Sequence, residues 1–293
     1  MSPLALTFVL IAALLHATWN IVAKKAGGGG HFVFVCAAMT TVLWAPVALW
    51  FGVEQVGRWG VLEWGLVFAS GMVHLLYFNT LLRGYREADL TVVYPVARGS
   101  GPLLSVALAV LLLGETLSLV GFAGVLAVCG GVFLIAGGPA LWRQAHDPEK
   151  RVRVRQGLKW GALTGALIAA YTVIDGYMVK VLLLAPILVD WFGNLLRIPF
   201  MLPQALRDPT GRKAAWRTQW RHALVVAVLG PLGYVLVLYA VTMAPLSHVA
   251  PAREVSMLFA ALLGGRLLGE GDRGARVAGA ACIALGVAAL ALG

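Results

Sequence analysis

Ten apolar stretches, each long enough to cross a lipid bilayer, run the length of the chain. They fall at roughly 3–23, 32–53, 62–82, 91–113, 119–138, 158–179, 182–206, 222–244, 247–268 and 274–292. A spanning helix needs roughly 20 mostly apolar residues. Backbone groups in hydrocarbon find no water, so such runs fold as helices that satisfy themselves. Composition agrees: 60% of the 293 residues are hydrophobic and 12% are charged, against roughly 25% charged in a soluble domain. The first run has neither a charged segment before it nor a small-residue cleavage site after it, so it is expected to persist as a helix.

The runs divide into two halves related by a fixed offset. Tyr94-Pro95-Val96-Ala97-Arg98 leads through an apolar run to Gly114-Glu115, and Ala250-Pro251-Ala252-Arg253-Glu254 leads to Gly269-Glu270. Arg98 and Arg253, Glu115 and Glu270, and Lys25 and Lys180 each differ by 155. A period this long marks a duplicated domain. The expected units are 1–138, a basic linker at 139–157, and 158–293. Five spans per half put the second half into the membrane from the opposite side. The expected fold is therefore all-α, with ten transmembrane helices in two inverted five-helix repeats around a central cavity, as in secondary transporters.

Charge is unevenly spread. Nineteen of the 23 Lys and Arg residues fall in the loops after spans 1, 3, 5, 7 and 9, counting Arg197 and Arg266 by the nearer helix end. The positive-inside rule places those loops in the cytoplasm and both termini outside. Anionic lipid headgroups are the expected partners of these loops, and the net charge of +10 requires no nucleic acid. Trp216 and Trp220, in the expected loop at 207–221, suit an interfacial anchor. Cys36, Cys129 and Cys282 lie in separate apolar runs without metal or redox spacing. Gly157, Gly161 and Gly165 read as a close helix-packing stripe.

Polar groups within the spans carry the functional information, because they are costly there and face the interior. His16, Trp19 and Asn20 share a face of span 1, and their equivalents on span 6 include Tyr171 and Asp175. Tyr94, Arg98 and Ser105 lie along span 4, where Pro95 and Pro102 are expected to break the helix. Span 9 repeats this with Pro251, Arg253, Glu254 and Ser256. Arg98 can bind a carboxylate in a planar pair or serve as structural partner to Asp175. Arg253 and Glu254 are expected in structural pairing. His74, Tyr77, Phe78, Asn79, Asp190, Trp191, Asn194, Tyr234 and Tyr239 add further polar or aromatic groups. Glu115 and Glu270 read as junction residues capping spans 5 and 10. Neither enzyme motifs nor a nucleotide-binding motif is present, so no enzyme activity, cofactor or metal is expected.

The sequence His16-Ala17-Thr18-Trp19-Asn20 with Lys24-Lys25, the Tyr94-Pro95 entry to span 4, and the two Leu-Gly-Glu segments at 113–115 and 268–270 resemble the drug/metabolite transporter superfamily, in particular its ten-helix EamA family. The resemblance spans the whole chain. It implies a bacterial inner-membrane exporter of small metabolites, with amino-acid exporters of the YddG type as the nearest pattern and a cavity lined by spans 1, 3, 4, 6, 8 and 9. It also implies cytoplasmic termini, against the loop charges. On this reading Arg98 contacts a substrate carboxylate. Asp175 binds an ammonium group or carries a coupling proton. Trp19, Asn20, His16, Tyr77, Asn79, Tyr94, Tyr171, Tyr234 and Ser256 line the site. The cargo is then a small metabolite, most simply an amino acid, handled by a monomer. The alternatives are efflux of lipophilic cations or, further off, of nucleotide sugars or lipids.

Overall fold

The computed structural model describes residues 1–27, 29–136, 151–263 and 273–293. The described residues form α1 (Pro3–Lys25), α2 (Gly30–Gln55), α3 (Val61–Glu87), α4 (Leu90–Leu113), α5 (Leu119–Ile135), α6 (Arg151–Lys180), α7 (Pro186–Arg207), α8 (Pro209–Met243), α9 (Leu246–Ala252), α10 (Ser256–Leu263) and α11 (Arg273–Leu292). Seven of these helices are long and apolar enough to cross a membrane by length and composition. A 3₁₀ turn at Arg253–Val255 joins α9 to α10, and the three together make the ninth of ten spans.

Local chemistry sets the ends. Ser2 caps α1 by accepting from the Ala5 amide, Pro3 opens the helix, and Lys24 and Lys25 sit in its last turn against the negative end of the dipole. Gly114 ends α4 in the left-handed conformation at φ 66°. Ser118 caps α5 through the Gly121 amide.

Small residues let spans of the two halves touch backbone to backbone. A Cβ at Gly131 would lie 2.5 Å from the Gly279 carbonyl oxygen, and one at Gly286 would lie 2.7 Å from that of Gly124. These contacts clamp α5 to α11. Gly157, Gly161 and Gly165 meet Val92, Val96 and Ser100 of α4 just as closely. The halves also exchange their first helices: α6 packs on α3 and α4, while α1 packs on α8 and α10. One buried core therefore draws on both halves, from Val9 and Val67 to Val249 and Leu290.

Three expectations are corrected. The stretch 207–221 is not a loop: α8 starts at Pro209, because Asp208 caps it through the Gly211 amide and Pro209 opens it. Trp216 and Trp220 thus ride on a helix and stay exposed. The first described residues after the linker's middle, 151–157, are already helical, so the basic side chains there extend α6. Finally, α4 runs unbroken through Pro95 and Pro102. Only the ninth span breaks, where Pro251 removes one rung and the next turn tightens. Residues 139–150, Arg266 and Gly269-Glu270 lie outside the described residues.

Candidate functional site

Asp175 lies in the last turns of α6, five residues before its end at Lys180, and its side chain is almost fully buried. Two hydroxyls hold it: Ser70 of α3 donates to Oδ1 and Tyr234 of α8 donates to Oδ2. Helices from both halves therefore meet on one carboxylate. Hydroxyl donors compensate a buried carboxylate without neutralising it. One turn after Ser70, His74 places Nδ1 at 3.0 Å from the Ser70 carbonyl oxygen. Its ring stacks on Tyr171 at 3.9 Å between centroids. Tyr77 meets Tyr171 edge-on at 5.7 Å, and Tyr234 meets His74 edge-on at 5.8 Å. Asp175 thus stands behind a box of four aromatic rings.

A second pole forms at the broken ninth span. Arg98 Nη2 of α4 lies 3.1 Å from Glu254 Oε2 and 3.5 Å from Ser256 Oγ. Arg253 Nε lies 3.9 Å from Glu254 Oε1. The side chain of Glu254 is 1% exposed, whereas those of Arg98 and Arg253 keep 15% and 14%. The two arginine side chains thus keep some exposure while the carboxylate they flank has almost none. Tyr77 is in electrostatic reach of both arginines and of Tyr94 and Tyr171. Tyr171 and Tyr234 are in electrostatic reach of Arg253, and Arg253 is in reach of Asp175.

The expected residues sort accordingly. Arg98, Asp175, Tyr77, Tyr94, Tyr171, Tyr234 and Ser256 converge on these poles. His16 is in electrostatic reach of both arginines and meets Trp19 edge-on at 5.0 Å. Asn20 turns away: exposed, it donates to its own helix at the His16 carbonyl, 2.7 Å. Asn79 is exposed as well. The alternative that made Arg98 the partner of Asp175 is overturned, since Glu254 takes that place. Glu254 bridges Arg98 in addition to Arg253.

Two further polar clusters hold the frame. Asn194 of α7 donates to the Ala37 carbonyl at 2.9 Å and to Thr41 Oγ1 at 2.8 Å, and accepts from Arg197 at 2.6 Å. Arg197 is thus an anchored residue within a helix rather than a loop cation. Asp190 is in electrostatic reach of Asp175 and Arg197 and makes no hydrogen bond or ion pair among the described residues. Glu115 caps α9, not α5: it accepts from Lys180 Nζ at 2.6 Å and from the Leu246 and Ser247 amides at 2.8 Å each. Burial pushes its carboxyl up, but the Lys180 ammonium and the two amides outweigh it and hold it below the usual range. Among the described residues no His, Cys, Asp and Glu group could hold a metal ion. Ser70 was absent from the expected set; its spacing of four from His74 was the available signal.

Ten spans and two interleaved halves that meet around buried polar side chains define a multi-pass membrane protein. The sequence model of the EamA-like transporter family matches residues 3–137 and 155–292. The chain belongs to that family, and so to the transporters of the drug/metabolite superfamily rather than to enzymes. No curated protein matches the sequence. A solved crystal structure shares the fold, with a TM-score of 0.71 at 20% identity, covering 98% of this chain and 96% of that one.

Proposed function

We propose that this transporter carries small zwitterionic metabolites, amino acids first among them, out across a bacterial inner membrane by alternating access between its repeats. The observation that carries this reading is the separation of charge. Asp175, framed by Tyr77, Tyr171, Tyr234 and His74, suits an ammonium group and an apolar side chain. Arg98 and Arg253 share a single carboxylate and retain capacity for another. A zwitterion complements the acid and the arginines together where Asp175 and Arg253 are in reach of each other. Asp175 is also the coupling candidate, since a proton and an ammonium group compete for the same carboxylate.

Solute counterflow in liposomes, with a panel of amino acids at two pH values, tests the reading. Saturable exchange supports it, and its rank order reports whether the aromatic box selects side chains. A second reading, efflux of lipophilic cations, draws on the same box around Asp175. It takes first place if a lipophilic cation exchanges and no amino acid does.

A further inference from the structure

The three charges at the ninth-span break do not balance. Two guanidiniums flank one carboxylate, one at close ion-pair distance and one further off. Glu254 Oε2 lies 3.1 Å from Arg98 Nη2 but is not aligned to accept a hydrogen bond, and Oε1 lies 3.9 Å from Arg253. Arg98 Nε is buried with no hydrogen-bond partner among the described residues. A buried donor left without an acceptor is destabilising, and more so on a charged group. The cluster therefore has an excess cation and an orphaned N–H, beside two arginine side chains that keep 15% and 14% exposure. One ligand carboxylate corrects both once Arg98 turns its Nε toward it.

We propose that Glu254 is a resident stand-in for the cargo's carboxylate. It holds Arg98 while the site is empty. On binding, the cargo carboxylate takes the Nε edge of Arg98 together with the Arg253 guanidinium, and Glu254 loses its share of Arg98. The two carboxylates thus compete for one guanidinium. That competition keeps cargo affinity modest, so that the cargo can leave again. It also links occupancy to movement. Glu254 sits in the 3₁₀ turn between α9 and α10, and Arg98 sits on α4 of the other repeat. Displacing Glu254 removes the ion pair that joins the fourth span to the ninth and leaves their packing and the Arg98–Ser256 contact. This inference rests on the zwitterion reading of the site and adds a specificity-setting residue to it.

The test compares Glu254→Gln with wild type, using three probes. Phenylalanine carries both charges, 3-phenylpropionate only the carboxylate, and phenethylamine only the ammonium. Binding is measured by calorimetry on the purified protein, and exchange by counterflow. Removing the competing charge should tighten 3-phenylpropionate and phenylalanine about tenfold or more, leave phenethylamine within about threefold, and slow phenylalanine exchange. If Glu254→Gln does not fold, Glu254→Asp, which lengthens the gap to Arg98, should move the same affinities the same way by less. The proposal is overturned if a folded variant binds 3-phenylpropionate no more tightly than wild type. If wild type exchanges amino acids in that case, the proposed cargo class stands and only the role of Glu254 falls. If wild type binds phenethylamine but neither carboxylate probe, both fall.

Discussion

Glu115→Ala removes three interactions at one junction, and their sum can be worked from the geometry. The carboxylate accepts a charge-assisted bond from Lys180 at 2.6 Å and caps two amides at the start of α9, both at 2.8 Å. Loss of a helix cap costs about 1 kcal/mol, and loss of a hydrogen bond to a charged group about 1.5–3 kcal/mol. The expected destabilisation is about 2–4 kcal/mol, read as a lower melting midpoint of the purified protein. A double-mutant cycle with Lys180→Ala isolates the ion pair, with an expected coupling of about 1 kcal/mol or more. The sign of the pH dependence follows from the depressed carboxyl. Its folded value lies below its unfolded value, so the stabilisation is present above the unfolded value, about 4.3, and is lost as pH falls through the folded one. The gap between wild type and Glu115→Ala should be constant near neutral pH and shrink in acid. Equal midpoints would refute the cap, and strictly additive effects of the two substitutions would refute the ion pair.

Three other outcomes are expected. Asp175→Asn should abolish the pH dependence of counterflow and weaken ammonium-bearing probes; unchanged transport with an unchanged pH profile removes Asp175 from coupling. Gly131→Leu should destabilise the α5–α11 clamp by about 1–3 kcal/mol or more, because a Cβ alone already meets the Gly279 carbonyl at 2.5 Å. Gly130→Leu, with open space at its Cβ, is the matched control in a melting assay. The cleft of about 290 Å³ between α2 and α8, lined by Phe34, Val35, Ala38, Arg212, Lys213, Trp216 and Arg217, should take anionic lipid. Phosphatidylglycerol should raise the melting midpoint more than phosphatidylcholine, and the Arg212→Ala, Lys213→Ala, Arg217→Ala triple variant should erase the difference.

Span number and two-fold repetition were legible because hydropathy and a fixed offset depend only on local composition. Helix ends were not. At 209–221 the basic, Trp-bearing stretch has no apolar run, yet the Asp208 cap and the α2 surface continue the helix beyond the hydrocarbon. The proline rule misled at α4 and held at the ninth span. Along α4, Ser100 and Ser105 bond back to the Val96 and Gly101 carbonyls, and α6 packs along the whole face. Packing from a neighbour decides whether a proline kinks a helix or merely removes one rung.

The site residues were legible one at a time and their pairings were not. Arg98 and Asp175 stood out as charges in apolar runs, and electrostatics alone invites them to pair. The register of α6 along α4 works against that choice: Gly165 meets Ser100 and Gly101, and Asp175 lies further along α6, beyond the level of Arg98. Because α6 packs into the first half, Asp175 meets Ser70 of α3, while Arg98 meets Glu254, 156 residues further along. The consequence is functional. Had Asp175 paired with Arg98, the bundle centre would hold a neutral, self-satisfied pair with little to offer a cargo. Left without an ion pair to each other, Asp175 and Arg98 remain separate groups of opposite sign, with Tyr171 and Tyr234 near both Asp175 and Arg253. On the proposed reading, such a site is charged enough to replace the water around a zwitterion and under-satisfied enough at Arg98 to gain by accepting it.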